Sequence, residues 1–245
     1  MRGKGVILVD SVAGSGKTET AIKFIKKYAE EVDSDGVVAL AFTKANADTL
    51  EMRLQGTATS STFHSYIGRM MSQNGFSSDA GVAVTAPKGR TDLLRLMVDT
   101  RVANWHMRYP VYSLLVLALN MGYKLTGGVL SLREVLALSS ITPSDRYDIE
   151  EVLEVTDRLF DEVVMDGRVS HDCMLYTAAK LMIAGHVEVR KRVSLIVVDE
   201  YQDMSWIMLR LLVLIQEKTE CNVAFFGDDH QALYAFRGAS PDTKM

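Results

Sequence analysis

Cysteine is almost absent: the 245 residues contain two, Cys173 and Cys221. Two thiols make neither a disulfide framework nor a cysteine zinc cluster, and they fit a reducing, intracellular setting (cytoplasm or nucleoid, or a nucleus). An excess of positive charge is also lacking. The net charge is −4, from 27 Lys and Arg against 31 Asp and Glu. That excludes a wholesale basic coat and confines any contact with a polyanion to a local patch. No apolar run approaches the roughly 20 residues needed to span a bilayer. The most apolar stretch, VYSLLVLAL from Val111 to Leu119, is far shorter. The opening MRGKGVILVD puts basic residues before an apolar run, but the run stops at Asp10, too soon for a signal peptide, so it reads as a buried first strand. Neither an internal repeat nor a low-complexity tract is present. What remains is 48% hydrophobic and 24% charged. Such a composition suits a globular chain with a sizeable core, in one large domain or two small ones.

The apolar pattern then sets the order of elements. Gly5–Val9 is a short strand, and Lys17 to Val32 reads as a helix with Ala21, Ile22, Ile25 and Ala29 on one side. A loop at Asp33 to Gly36 leads to a second strand, VVALAF, and to a helix over Lys44 to Leu54. GTATSSTFHSYIGRMM suggests a short strand, a turn and a helix starting near Thr62. Strands alternating with helices predict a parallel sheet with helices on both faces, an α/β architecture. From about Ser77 to Gly167 few strands are visible. DLLRLMVDTRVANW, LREVLALSS and DIEEVLEVTDRLFDEVV all read as helices, so a mostly helical inserted subdomain is expected. The βα rhythm returns with a helix at about His171 to Ala184, the strand SLIVVDE, the helix MSWIMLRLLVLIQEK and the strand NVAFFGD. The expected organisation is a first part over residues 1–76, an insertion over 77–167, and a second part over 168–245.

Two stretches carry chemistry. The first is Ser11-Val12-Ala13-Gly14-Ser15-Gly16-Lys17-Thr18, between a strand and a helix. It satisfies the phosphate-loop pattern G-x-x-x-x-G-K-[ST] except that Ser11 stands at the first glycine. Gly14 and Gly16 allow backbone N–H groups to turn inward as an anion nest, and the next helix points its N-terminus at the same charge. Lys17 would reach the β- and γ-phosphates and Thr18 would place its hydroxyl on Mg²⁺. The second is LIVVDEYQD, a buried strand that ends in carboxylates. Asp199 at its tip suits a Mg²⁺ ion beside such a loop, held directly or through water, because this ion needs only one or two carboxylates. Glu200 is the candidate base that orients an attacking water.

In order along the chain, AGSGKT, AFTKANA, TFHSY, VVDEYQD and GDDHQALYAFRGA resemble motifs of the first RecA-like domain of the UvrD/Rep/PcrA helicases of superfamily 1. The resemblance covers most of the strand-bearing part and little of the insertion. It implies a RecA-like P-loop NTPase fold with a helical insertion, ATP and Mg²⁺ as cofactors, and single-stranded DNA as partner. By resemblance, Ala13, Gly14, Ser15, Gly16, Lys17 and Thr18 bind ATP, Gln231 contacts its γ-phosphate, and Gln202 and Arg237 belong to the same coupling network. Tyr234 and Phe236 match aromatic positions that meet single-stranded DNA, where a ring can stack on any base. Thr43, Phe63 and His64 match positions along the DNA track. Core packing is the competing reading for Tyr234 and Phe236, and a structural hydrogen bond for His64.

Some residues depart from the family pattern. His230 stands where an acidic residue is common, Met208 where a glutamine often follows, and Asp172 matches an acidic position whose role here is open. The adenine-reading glutamine segment that usually lies upstream, and the second RecA-like domain with its arginine fingers, are not in these 245 residues. The expectation is therefore a domain that binds Mg-ATP, hydrolyses slowly by itself, and acts with a second RecA-like domain or subunit supplied elsewhere. Two functions remain open: the ATPase part of a 3′–5′ DNA helicase, or a shortened module that binds ATP and single-stranded DNA or a partner without unwinding. Lys88, Arg90, Arg95, Arg101 and Arg108 in the insertion are either phosphate contacts or, for most of them, a solvated face. No membrane partner is expected.

Overall fold

The computed structural model describes residues 5–10, 16–32, 36–76, 93–125, 131–165 and 171–228. Its centre is a sheet of five parallel strands: β1 (Val6–Asp10), β2 (Val37–Ala41), β3 (Thr59–Thr62), β4 (Leu195–Asp199) and β5 (Asn222–Gly227). Their spatial order is β1-β5-β4-β2-β3. The acidic strand β4 therefore lies between β5 and β2, pairing Asp199 with Phe226 and Val197 with Ala39. β1 pairs with β5, so that Asp10 faces Gly227. The C-terminal ends of β1, β5 and β4 consequently share one rim of the sheet.

β4 is buried along its whole length, as the apolar run Leu195 to Val198 requires of a strand covered on both faces. Its side chains divide by the two-residue period of a strand. Leu195 and Val197 enter one core with Ala21, Ile22 and Ile25 of α1 (Lys17–Glu31) and Leu50 of α2 (Lys44–Leu54). Ile196 and Val198 enter the other. That second core holds Ile67 and Met71 of α3 (Phe63–Gln73), Val98 of α4 (Leu93–Arg101), Leu114 and Leu115 of α5 (Trp105–Asn120), Val135 of α6 (Leu132–Ala137), Val152 and Phe160 of α7 (Ile149–Met165), Met174 of α8 (His171–Ile183) and Leu211 of α9 (Trp206–Thr219). The helices between residues 93 and 165 thus share one apolar core with a face of the sheet. Both boundaries expected for the insertion, near 77 and 167, lie outside the described residues.

Two expectations need correction. β1 is not a buried strand. Val6, Ile7 and Leu8 are 63, 43 and 44% exposed, because β1 ends the described sheet and pairs with β5 alone. The helix read through DLLRLMVDTRVANW stops at Arg101. The chain restarts as α5 when the Asn104 side chain accepts from the His106 N–H, an N-cap. α5 runs on through Pro110 and the apolar stretch Val111 to Leu119. Elsewhere caps fix the helix starts: Thr43 accepts from the Asn46 N–H, Thr62 from the Ser65 N–H, and Ser131 forms a reciprocal box with Glu134. The expected turn before α3 is therefore no more than the cap at Thr62, which is also the last residue of β3.

Candidate functional site

The site is assembled where strands end. Gly16 sits at φ 81°, a left-handed conformation that suits glycine, and serves as the N-cap of α1 without a side-chain cap. The backbone donors of the first turn are thereby left facing the space beyond the strand ends. Lys17 and Thr18 follow at once. The Thr18 hydroxyl donates to Asp199 Oδ2 at 3.0 Å, joining positions 181 apart in the chain. Lys17 is 8% exposed and its Nζ lies 3.8 Å from Asp228 Oδ2, just past the end of β5.

Asp199 is 5% exposed, and its second carboxylate oxygen, Oδ1, is buried with no hydrogen-bond partner. Burial pushes its carboxyl above the ordinary value, the Thr18 hydrogen bond opposes this, and the neighbouring Glu200 adds to it. A hydroxyl beside a buried, half-satisfied carboxylate is a fitting donor pair for a small hard cation, which prefers oxygen ligands and keeps several waters. Among the described residues no group of three or more His, Cys, Asp and Glu could hold a metal. Ligand phosphates and water would have to complete the shell around Thr18 and Asp199.

Glu200 breaks from the strand in a left-handed conformation, φ 58°, and begins a single 3-10 turn at Tyr201–Asp203. This bend turns the chain away from the strand immediately after the acidic pair. The Gln202 amide donates to Glu200 Oε2 at 2.6 Å, and Gln202 Oε1 accepts from the Asp228 N–H at 3.0 Å. Gln202 is 4% exposed and therefore clamps β4 to β5 from inside. Gly227 makes room for it: a Cβ there would lie 2.3 Å from Gln202 Oε1 and 2.5 Å from the Tyr201 ring. A chain of contacts thus runs from Glu200 through Gln202 and Asp228 to Lys17.

Asp228 has no assigned role in the sequence; the signal available there is an acidic residue that directly follows the apolar strand run ending at Gly227. Asp203 was likewise passed over. Burial, reinforced by Glu200, raises its carboxyl to about 6. Of the other expected residues, Thr43 is exposed and caps α2, and His64 is half-buried on the first turn of α3. Phe63 is 1% exposed and sits in the core with Ile67 and Met71, so its ring is a packing element and offers no face to a strand on the surface. Met208 is also buried. Ala13, Gly14, Ser15, Gln231, Tyr234, Phe236 and Arg237 lie outside the described residues, as do Ser11, His230 and the Asp172 side chain. Among the insertion's basic residues, Arg95 pairs with Asp99, Arg101 with Glu162, and Arg108 donates to the Val102 carbonyl. Those three are bound up locally; Lys88 and Arg90 lie outside the described residues.

The sequence profile of the UvrD/REP helicase N-terminal domain matches residues 2–245. The chain belongs to the UvrD/REP helicase family. Its five-stranded parallel sheet flanked by helices is the RecA-like α/β fold of that domain. It is 23% identical over 251 aligned residues to F-box DNA helicase 1 of Gallus gallus, covering 96% of this chain and 22% of that protein. A shorter stretch of 58 residues is 40% identical to an ATP-dependent helicase/nuclease subunit of Moorella thermoacetica, covering 23% of this chain and 4% of that protein. The chain thus spans about a fifth of the first relative's length and far less of the second's. No described helix is long and apolar enough to cross a membrane.

Proposed function

We propose that this chain is the ATP-binding and hydrolysing domain of a helicase or translocase that moves 3′ to 5′ along single-stranded DNA. The observation that carries the nucleotide part is the Thr18–Asp199 hydrogen bond, 3.0 Å, which brings the phosphate-loop helix and the acidic strand end to one point. Lys17 binds and orients the terminal phosphates, giving up its contact with Asp228 for a more concentrated negative charge. Thr18 and Asp199 hold Mg²⁺, which neutralises charge on the phosphate oxygens when it is bound with the nucleotide. Glu200 orients the attacking water and accepts its proton, while Gln202 holds the Glu200 carboxylate in place. Gln231 contacts the γ-phosphate, and Arg237 binds ATP as part of the same coupling network.

The DNA part rests on family membership and on residue chemistry. Thr43 and His64 line the track near the strand ends, and Tyr234 and Phe236 stack on bases, a contact blind to sequence. Phe63 supports the track from beneath. A second RecA-like domain that brings an arginine to the transferring phosphoryl would speed turnover, by about 10³–10⁵ in related NTPases.

The test is single-turnover phosphate release from bound ATP, compared between the native chain and Glu200→Gln. Slow release by the native chain, with binding retained and release abolished in Glu200→Gln, is the expected result. Equal release from both would remove Glu200 from the chemistry.

A further inference from the structure

A recess of about 250 Å³ opens at the opposite end of the sheet from Lys17 and Asp199. Its wall combines Thr59 at the start of β3, Tyr66 and Arg69 of α3, and the consecutive Arg190, Lys191 and Arg192 that lead into β4. Val193 lines it too and lies six positions before Asp199, on the order of 20 Å away at strand rise. This recess cannot belong to the nucleotide site or to a track along the strand ends near Thr43.

Its charge is one-sided. Four cationic side chains border it in a protein whose net charge is −4. Arg69, Arg190 and Lys191 are exposed and form no ion pair among the described residues. The basic residues of α4 and α5 differ, since Arg95, Arg101 and Arg108 are each engaged. Three cations that line one recess and have no counter-ion among the described residues repel one another, and that repulsion falls when an anion binds. Thr59 and Tyr66, which line the same recess, add neutral hydroxyl groups. Burial, with Cys221 adding and Arg69 opposing, pushes the Tyr66 hydroxyl up to about 12, so it keeps its proton at neutral pH.

We propose that this recess is a second nucleic-acid contact, which grips the phosphodiester backbone without reading sequence. The fit is to a polyanion: guanidinium and ammonium groups without ion pairs among the described residues come from two separate segments and share the recess with hydroxyl groups suited to phosphate oxygens. Tyr66 is packed against the core, so the recess offers no free ring for stacking, and it holds a backbone rather than bases. A strand gripped here meets the protein at the end of the sheet remote from the ATPase chemistry. The nucleic acid can therefore stay attached when the motif-bearing rim lets go.

The test is fluorescence anisotropy of a labelled oligonucleotide, single-stranded and duplex, titrated with the full chain between 50 and 200 mM salt. Arg190→Ala/Lys191→Ala removes two exposed charges. For single strands it should make the logarithmic salt slope shallower by about 1.4, which lowers the loss of affinity across that range by about sevenfold. The duplex arm shows which form of backbone the recess prefers. Arg69→Gln, on a different element, should give about half that change and guards against a local misfolding effect. Mg-dependent ATP binding should stay unchanged in all variants, which separates this proposal from the nucleotide assignment. Unaltered slopes in both variants would overturn it, as would no oligonucleotide binding by the native chain. So would complete competition by millimolar inorganic phosphate, which would make this a single-phosphate site. Tighter binding of a polyglutamate peptide than of either oligonucleotide would assign the recess to an acidic protein partner instead.

Discussion

At the scale of single residues, the rim of the sheet is an arrangement of carboxylates that the fold holds at some expense to its own stability. Asp199 and Asp203 are both raised above their ordinary values, chiefly by burial. A raised carboxyl binds its proton more tightly in the folded state than in the unfolded one, so stability falls as pH rises through the interval between the two values. For Asp203 that interval runs from about 4 to about 6. The urea midpoint of the native chain is expected to decline across it, and Asp203→Asn is expected to decline less; parallel profiles would contradict the assignment. Much of this site was readable from the sequence. Lys17, Thr18, Asp199 and Glu200 stand in motifs whose chemistry dictates residue type and spacing. The Lys17–Asp228 contact was not readable, because a counter-ion 211 positions away is fixed only by the β1–β5–β4 order of strands. Phe63 misled for a related reason. Its motif lies beside exposed residues, yet as the first residue of α3 after β3 it turns into the core.

At the scale of elements, Gly227 and α5 bear most on the site and its support. β5 can lie against the 3-10 turn because Gly227 has no side chain, and Gln202 fills that space. Gly227→Ala should cost roughly 1–3 kcal/mol by overpacking. It should also lower hydrolysis more than ATP binding, since Gln202 is displaced from Glu200 while Lys17 and Thr18 are untouched. Chemical denaturation and nucleotide titration on the same variant check both parts. α5 is nearly buried, with Leu114 and Leu115 at 0% exposure. Leu114→Ala is expected to destabilise the protein by about 2–5 kcal/mol, measured by denaturant unfolding. The apolar stretch of α5 escaped the sequence reading because its buried residues do not form one stripe. A helix covered on most sides shows no 3.6-residue contrast, and Pro110 argues against helix in the same window. The opposite error occurred at β1, whose apolar run reads the same whether the strand is central or at an edge.

At the scale of the whole molecule, the helices between residues 93 and 165 share one core with the sheet face that includes Ile196 and Val198. Trp105 lies at the start of α5 and Trp206 at the start of α9, where Trp206 packs against Gly122. Variants that keep one tryptophan each should unfold with coincident midpoints, as a single cooperative unit does; separated midpoints would show that the helical layer melts independently. The same core makes a stiff platform for the rim where Lys17, Thr18, Asp199 and Asp228 gather, and the functional reading depends on that gathering. Calorimetric titration of ATP into the native chain, Lys17→Ala and Asp199→Asn, with Mg²⁺ and with EDTA, tests it most directly. The native chain is expected to bind in the presence of Mg²⁺, to bind much more weakly in EDTA, and to lose binding in Lys17→Ala, while Asp199→Asn loses the difference made by Mg²⁺. Nucleotide uptake indifferent to Mg²⁺ and to both substitutions would contradict a shared Mg-nucleotide site.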